Sequence, residues 1–569
     1  MSNPKEQLQP PLEMAFVVSP FESATISNID FEEAALVDGV HGVFTSADVP
    51  GKNNVICSLG HFPLFAEGDA AFIGHLVAVV VAERASIARA GADLVRVDYK
   101  PKPPVLEIEE ALKLNSFHDG SNELVDEGSF VGESDELESI ERNFVFPDHV
   151  CVQELGRVEA NVIGSGQLSV DVDACESLVL ASSIAALTGV NEEEVKVTCG
   201  RETKFSDGRF SRLFFFAGLT ALCSLKTRRG VRFRPSDAPN EMLGARSGQI
   251  QAAIELTHDS SGLIKSLVCN VNVDSGSAVG LSNDFRDSLM GHFNGVYSCA
   301  DLRLKCSLCR TNGSPSLVHG VDGVALGSFI SEELNTQISS RTGAQVHSLR
   351  RINFSHFMEH EDDEVLRSRH KIIVDAWARL IEDSSYKERR EEIERFNESD
   401  PNYKRGIAAV PVRVGSGTEE NSEEFSFGSA VAEVQVDAFT GELFLVRIDA
   451  LQLSQAGLGS AEQVSRMSAS FLDGMRNYFF LGCGGTYHEF NNSILLGSGA
   501  VPADLRFELM EHDKKSVRFS SSVSYCLSMS VYQATREALR QYRKSLSFVD
   551  LPLILSPESI YNAIHGSDS

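Results

Sequence analysis

Hydrophobic and polar residues along this chain keep two different periods. Alternation of period two runs through "MAFVVSP" (14–20), "GQLSVDVDA" (166–174), "IQAAIELTHD" (250–259) and "LIKSLVCNVNV" (263–273), and predicts strands. "HLVAVVVAE" (75–83) reads as another, and "GSAVAEVQVDAFTGELFLVRIDA" (428–450) as two strands joined by a turn at "DAFTGE". Helical character marks "SLVLASSIAALTGV" (177–190), "RLFFFAGLTALCSL" (212–225), "KIIVDAWARLIEDSS" (371–385), "YKERREEIERFNES" (386–399) and "SMSVYQATREALRQYRKS" (528–545). "SIARAGADLVRVDYK" (86–100) predicts a helix running into a strand, and "PKPPVLEIEEAL" (101–112) an extended exit from that first α/β unit. Three polar stretches separate these patterns. Residues 119–143 have little to bury and predict an acidic, solvated linker. "HFMEHEDDEVLRSRH" (356–370) predicts a connector, and "TEENSEEFS" (418–426) a surface patch.

At 569 residues the chain exceeds one ordinary core, so two to four domains are expected. A formal net charge of −29 argues against nucleic acid and anionic membranes as partners, since both recruit basic patches. The longest apolar runs, "LVAVVVA" (76–82) and "LFFFAGLTALCSL" (213–225), fall short of the ~18 residues that cross a bilayer. The opening "MSNPKEQLQPPLEM" has no apolar core of a secretory signal, so a cytoplasmic protein is expected.

Two patterns in the chain have metal-ligand residue types. Cys306 and Cys309 form the one close cysteine pair, but Leu302, Leu304, Cys306 and Leu308 alternate as in a strand. The two thiols then lie on opposite faces and are expected to be ordinary strand cysteines. Cysteine spacings for iron–sulfur clusters are absent, so such a cluster would sit on another chain. "HFMEH" fits the inverted zinc-protease pattern with His356, Glu359 and His360, but it sits beside "EDDE" and shows no apolar face to anchor a helix. It is expected to be solvated connector.

"EVKVTCGRETKFSDGRFSRLFFFAGLTAL" (194–222) reads as strand, loop and helix, the arrangement in which glycine-rich loops receive anionic cofactors. Here the loop carries Glu202, Thr203, Lys204, Phe205, Ser206, Asp207 and Gly208.

In order along the chain, the patterns resemble the large, molybdenum-bearing subunit of the xanthine dehydrogenase and aldehyde oxidase family. "SPFESATISNIDFEEAALVDGVHGVFTSADVPGKN" (19–53) and "FAEGDAAFIGHLVAVVVAERASIARAGADLVRVDYKPKPPVLEIEEAL" (65–112) are similar to its α/β hammerhead domain, with His75 where the family usually has Gln. "DHVCVQELGRVEA" (148–160) is similar to the His…Glu-Pro segment, with Leu155 at the Pro position. "CRTNGSPS" (309–316), "SLRRINF" (348–354), "NYKRGIAAVP" (402–411), "FSFGSAVAEVQVDAFTGELFLVRID" (425–449) and "SPESIYNAI" (556–564) resemble further landmarks.

The resemblance implies an α+β chain: a hammerhead domain over 1–118, the linker 119–143, a first molybdopterin-binding-like domain over 144–416 and a shortened second one over 417–569. It also implies four losses. The family's Gly-Gly-Gly-Phe-Gly-Gly-Lys loop, which lies against molybdopterin, aligns on Phe205. Glu202, Thr203 and Lys204 then replace the leading glycines, Ser206 and Asp207 the next two, and Gly208 the lysine. Side chains where backbone must approach a ligand cost space and about 1 kcal/mol each. A carboxylate about 4 Å from a phosphate charge is opposed by roughly 4 kcal/mol at an effective dielectric of 20, which Lys204 offsets in part.

Next, the family's Arg-Gly-Phe-Gly-x-Pro-Gln becomes "HGVDGVA" (319–325), with His319 for the substrate-facing Arg, Val321 for Phe, Asp322 for a Gly and Ala325 for Gln. The general-base Glu of Gly-Glu-Pro-Pro falls at Ser522, and losing a positioned base costs ~10²–10⁴ in rate. Finally, the large segment that the family places between "KRGIAAVP" and "FSFGSAVAEV" is missing, and with it a cofactor-contacting Gln-Gly.

No catalytic, cofactor-binding or metal residues are therefore expected on this chain. The leading expectation is a non-catalytic subunit pairing with a catalytic large-subunit paralogue that holds the molybdopterin, with FAD and iron–sulfur parts as further subunits. A diverged hydroxylase of a purine or aldehyde with molybdopterin here, and a small-heterocycle binding or cofactor-insertion protein, stay open as alternatives.

Overall fold

Seven consecutive apolar residues form strand β5 (Leu76–Ala82), and all are buried because both faces are covered. In the computed structural model, which describes residues 10–566 apart from 57–59, 128–136, 153–155, 165, 203–210, 294, 298, 300, 318–322, 361–363, 416–423, 456–459, 481–503, 514–515, 544–548 and 554, β5 lies between β1 (Glu13–Val18) and β3 (Val40–Phe44), antiparallel to both. Ala78 and Val80 pack with Ala34 of helix α1 (Glu32–Ala35), and α2 (Ala85–Ala92) lies over β1 and β5. A second sheet has β2 (Ala24–Asp30) between β4 (Asp69–Ala70) and β6 (Arg96–Pro101). The expected extended exit holds only to Glu107. There α3 (Ile108–Lys113) begins, with Glu109 and Glu110 in its first turn, where the helix dipole favours them, and Ile108 and Ala111 buried.

Within the expected linker 119–143, residues 119–127 and 138–143 are strand, and 128–136 lie outside the described residues. β7 (Phe117–Glu127) and β8 (Glu138–Phe146) are the outer strands of a five-stranded sheet, ordered β7, β17 (Asp301–Arg310), β16 (Ile264–Gly276), β15 (Ile250–His258) and β8. An edge strand of a sheet wetted on one side needs few apolar residues. On β8, Ile140 and Phe146 are buried while Glu141, Asn143 and Val145 face solvent.

A four-stranded sheet follows the order β12 (Val195–Glu202), β11 (Gln167–Cys175), β10 (Val158–Ile163), β13 (Val231–Phe233), with β11 and β12 parallel. Their crossover is α4 (Ser177–Thr188), which stops at Gly189 in a left-handed turn, φ 69°. α5 (Ser211–Thr227) covers the sheet, and Phe214 and Phe216 join Val158 and Val170 in one core with Leu76 and Val79 of β5. The short pair β9 (His149–Val152) and β14 (Gly244–Ser247), with α6 (Asn240–Leu243), completes this part.

The larger core is built around α8 (Gly323–Thr342), buried on every side from Gly323 to Ser339. Its Phe329 meets Phe144 and Phe146 of β8 edge-on, and Tyr532 of α14 (Met529–Arg543) from the other direction. α7 (Ser282–His292) and α9 (Val346–His360) pack against it, while α10 (Glu364–Asp383) lies on α9 and α11 (Tyr386–Ser399) on α10. The expected connector is thus mostly helical: α9 continues to His360 and α10 begins at Glu364. The last sheet runs β18 (Tyr403–Val414), β19 (Ser426–Asp437), β20 (Leu443–Gln455), β21 (Asp504–His512). Pro411 is tolerated because β18 is an edge. α12 (Ser460–Phe480), α13 (Ser521–Leu527), α14 and α15 (Pro557–His565) complete the fold, α15 capped by Ser556, whose side chain accepts from the Ser559 amide at 3.0 Å. No helix among the described residues is long and apolar enough to cross a membrane.

Candidate functional site

The three point sites singled out in the sequence precede or open the helices that begin at Ser211, Gly323 and Ser521, and helix N-termini carry orphan backbone N–H groups that favour anions. Glu202 ends β12, and Thr203, Lys204, Phe205, Ser206, Asp207 and Gly208 lie outside the described residues. α5 starts directly after them. Its Arg212 is 2% exposed, donates from Nε to the Met242 carbonyl at 2.5 Å, and lies 5.3 and 5.2 Å from the ring centres of Phe62 and Phe215. Burial pulls this guanidinium down to about 10.

His319, Val321 and Asp322 also lie outside the described residues, whereas Ala325 is buried in the first turn of α8. That end of α8 is plugged by α7. A β-carbon at Gly323 would collide with the Phe285 carbonyl and the Leu289 nitrogen.

Ser522 is the second residue of α13 and half-buried. Its chain neighbours are tied to one amide: Gln452 donates to the Ser520 carbonyl at 2.8 Å and accepts from Ser524 at 2.6 Å. The stretch between "KRGIAAVP" and "FSFGSAVAEV" is one hairpin. β18 and β19 pair without a break from Tyr403↔Asp437 to Val414↔Ser426, and residues 415–425 alone join them. α8 and α13 pack together in the larger core, while β12 and α5 belong to the other one.

What survives around the "CRTNGSPS" landmark is structural. Asn312 donates its amide to Val105 O at 2.7 Å, accepts from Val105 N at 2.9 Å, and donates from Nδ2 to Ala71 O at 3.0 Å. It thereby staples the first unit to the end of β17. Thr311 donates to Asp274 at 2.6 Å, and Asp274 is paired with Arg246. Gly276 needs its φ of 77°, and a β-carbon there would strike the Ser314 carbonyl. The His118 ring meets the Gly276 carbonyl at 3.1 Å, and burial holds it and His61 below the ordinary histidine range. His75 is buried against Phe72, ring centres 4.4 Å apart, and takes the Ala71 amide at 3.3 Å; burial pushes it down to about 3.

Cys306 and Cys309 face opposite ways as the alternation predicts. Cys306 lies in the larger core and Cys309 against Ile108 and Ala111, where burial pushes the Cys309 thiol up to about 12. His356, Glu359 and His360 lie on α9 with side chains outside the described ones. Among the described residues no three His, Cys, Asp or Glu side chains gather to hold a metal. A polar groove of about 530 Å³ lies on the outer face of the five-stranded sheet, lined by Glu141, Asn143, Glu255 and Asn270, and involves none of the predicted positions.

Sequence reasoning did not find the charged pair inside α8. Glu332 binds Arg350 of α9, and Glu333 binds Arg536 of α14, all four buried. The run "LGSFISEELNTQIS" (326–339) is largely polar, so nothing in it marks Glu332 and Glu333 as buried; once α8 is central, both require cations brought from elsewhere.

Residues 7–103 match the aldehyde oxidase and xanthine dehydrogenase α/β hammerhead domain, and residues 163–354 match the molybdopterin cofactor-binding domain. The chain is 24% identical over 411 residues to the xanthine dehydrogenase/oxidase of Mus musculus, covering 71% of this chain and 30% of that protein. It is 26% identical over 415 residues to the indole-3-acetaldehyde oxidase of Arabidopsis thaliana, covering 70% and 31%. The chain thus spans about three tenths of the length of these curated relatives. Quinoline 2-oxidoreductase from Pseudomonas putida 86 superposes with a TM-score of 0.76 at 14% identity, covering 98% of this chain and 95% of that one. The aldehyde oxidoreductase from Desulfovibrio desulfuricans ATCC 27774 gives 0.74 at 14% identity, covering 98% and 77%.

Proposed function

The chain belongs to the xanthine dehydrogenase and aldehyde oxidase family, and from that membership we propose that it is a non-catalytic structural subunit, holding no molybdopterin and pairing with a catalytic large-subunit paralogue. The observation that carries this reading is the hairpin of β18 and β19. Its register leaves only residues 415–425 where the family inserts a cofactor-contacting segment.

The residues present do not fit the cofactor. Glu202 stands where backbone must approach it, α7 fills the N-terminal end of α8, and Ser522 offers a hydroxyl where a base is needed. A serine hydroxyl takes up no proton at neutral pH. The retained part is scaffold: the hammerhead, the Asn312 staple and both cores. A degenerate copy in one half of a dimer turns an isologous interface into a pseudo-symmetric one.

The test is metal analysis of native protein with chain identities determined in the same sample. Molybdenum is expected only when a second, glycine-loop-bearing chain co-purifies. Stoichiometric molybdenum with this chain alone would overturn the proposal and favour a diverged hydroxylase.

A further inference from the structure

Two thiols stand together where β11 gives way to α4. Cys175 is the last residue of β11 and fully buried; Cys199, on the neighbouring parallel strand β12, is half-buried. The Cys175 amide donates to the Cys199 sulfur at 3.0 Å, and that sulfur lies 3.6 Å from the Cys175 carbonyl oxygen. Only an N–Cα bond and one cysteine side chain extend that contact, so the two α-carbons are at most about 7 Å apart. The ladder sets Cys199 opposite Val172 and Cys175 opposite Glu202, so the contact reaches diagonally across the pair, and its upper bound meets the top of the roughly 4.4–6.8 Å span that a disulfide bridges. Both side chains pack into the same core beneath α4.

We infer that Cys175 and Cys199 are a reversible oxidation site, forming a disulfide that ties β12 to the residue before the α4 cap. The oxidant is a peroxide. The sulfur of Cys199, the more exposed thiol, attacks one peroxide oxygen; the O–O bond breaks, the other oxygen leaves as water, and a sulfenic acid remains. The Cys175 sulfur then displaces the hydroxyl, an S–S bond forms and a second water leaves. Two thiols and one hydrogen peroxide become one disulfide and two waters, with two electrons passing from sulfur to oxygen. Exchange with a small thiol such as glutathione reverses it.

Of the six other described thiols, four are held back from reaction. Burial raises Cys223 and Cys269 far above the ordinary thiol range and pushes Cys299 and Cys309 up to about 12, which withholds the reactive thiolate. The bond acts on a strand that needs it, since β12 is an edge held among the described strands by β11. Cys199 lies just upstream of Glu202, where β12 ends. The inference holds whether or not the chain carries a cofactor.

The full chain is reduced, exposed to hydrogen peroxide, alkylated and digested with trypsin, which cuts between the two cysteines at Lys196. The expected product by mass spectrometry is a peptide joining Cys175 to Cys199 that disappears on reduction and is absent from Cys175→Ser and Cys199→Ser. In Cys175→Ser, dimedone captures Cys199 as the sulfenic acid. Separate alkylated peptides after peroxide, or Cys199 joined to a different cysteine, would overturn the inference.

Discussion

Arg536 of α14 grips Glu333 of α8 through two parallel bonds, Nη1 to Oε1 at 2.5 Å and Nη2 to Oε2 at 2.6 Å, with both side chains buried. The preceding residue, Glu332, is gripped from another direction by Arg350, with Nε at 2.6 Å. Consecutive carboxylates on one helix therefore reach two helices, α9 and α14, and fix α8 between them. Removing one partner of such a pair strands a buried charge. Arg536→Leu is expected to cost about 3–5 kcal/mol, and Arg536→Leu with Glu333→Leu to recover most of it. Guanidinium unfolding of the two variants checks this.

Gly406 on β18 lets α14 lie directly on the strand, since a β-carbon there would collide with the Ala534 carbonyl and the Ala538 nitrogen. Gly406→Ala is expected to lift the helix and lower the melting temperature. The cost is roughly 1–3 kcal/mol, as for other overpacked contacts.

Asn312→Ala removes two side-chain bonds that join the first unit to β17. A loss of about 1–3 kcal/mol is expected from the bonds and the groups left unpaired. Hydrogen exchange should show it first at the Val105 amide.

His75 gives the chain a pH-dependent stability. Burial holds it neutral in the folded state with a pKa of about 3, against an ordinary histidine value of 6.5 unfolded. The unfolded chain therefore binds one more proton between those values. The stability is fully present above the unfolded value and is lost as pH falls toward 3, at about 1.4 kcal/mol per pH unit once below it. His75→Gln is expected to narrow the difference between melting temperatures at pH 7 and pH 5.

Ser522→Glu restores a carboxylate at the first turn of α13, where the helix dipole accepts it. No molybdenum uptake and no hydroxylation of purines or aldehydes are expected from the variant. Metal analysis and a dye-linked assay read both outcomes, and a gain in either would count against the non-catalytic reading.

Much of the fold was legible because period and landmark agreed. "YKERREEIERFNES" is α11 from end to end, and the turn at "DAFTGE" joins β19 to β20. The strand alternation that set Cys306 and Cys309 on opposite faces also held. Three stretches misled. β7 and β8 looked like linker because outer strands carry polar residues on their wetted face, and the few that point inward, Ile140 and Phe146, are too sparse to announce a strand. Residues 356–370 read as connector because they are polar and show no apolar face, yet α9 is already anchored upstream by Leu349 and Phe354. The extended exit ended early because Ile108 and Ala111, three apart, are helical spacing within a run too short to show a period. The ion pairs of α8 join residues that are neighbours only after folding, so spacing alone could not assign their partners.

The unbroken ladder between β18 and β19 also alters how this half of the chain finds its shape. Tyr403 to Val414 are zipped to Ser426 to Asp437 across a connection of eleven residues, 415–425. Loop-closure entropy grows with the logarithm of length, and folding slows as contacts grow more distant in sequence. A hairpin this local forms early from one short stretch, offers β20 its pairing edge through the five-residue turn 438–442, and leaves β21, α13 and α14 to be gathered from afar. So short a connection gives the last sheet a nucleus of its own.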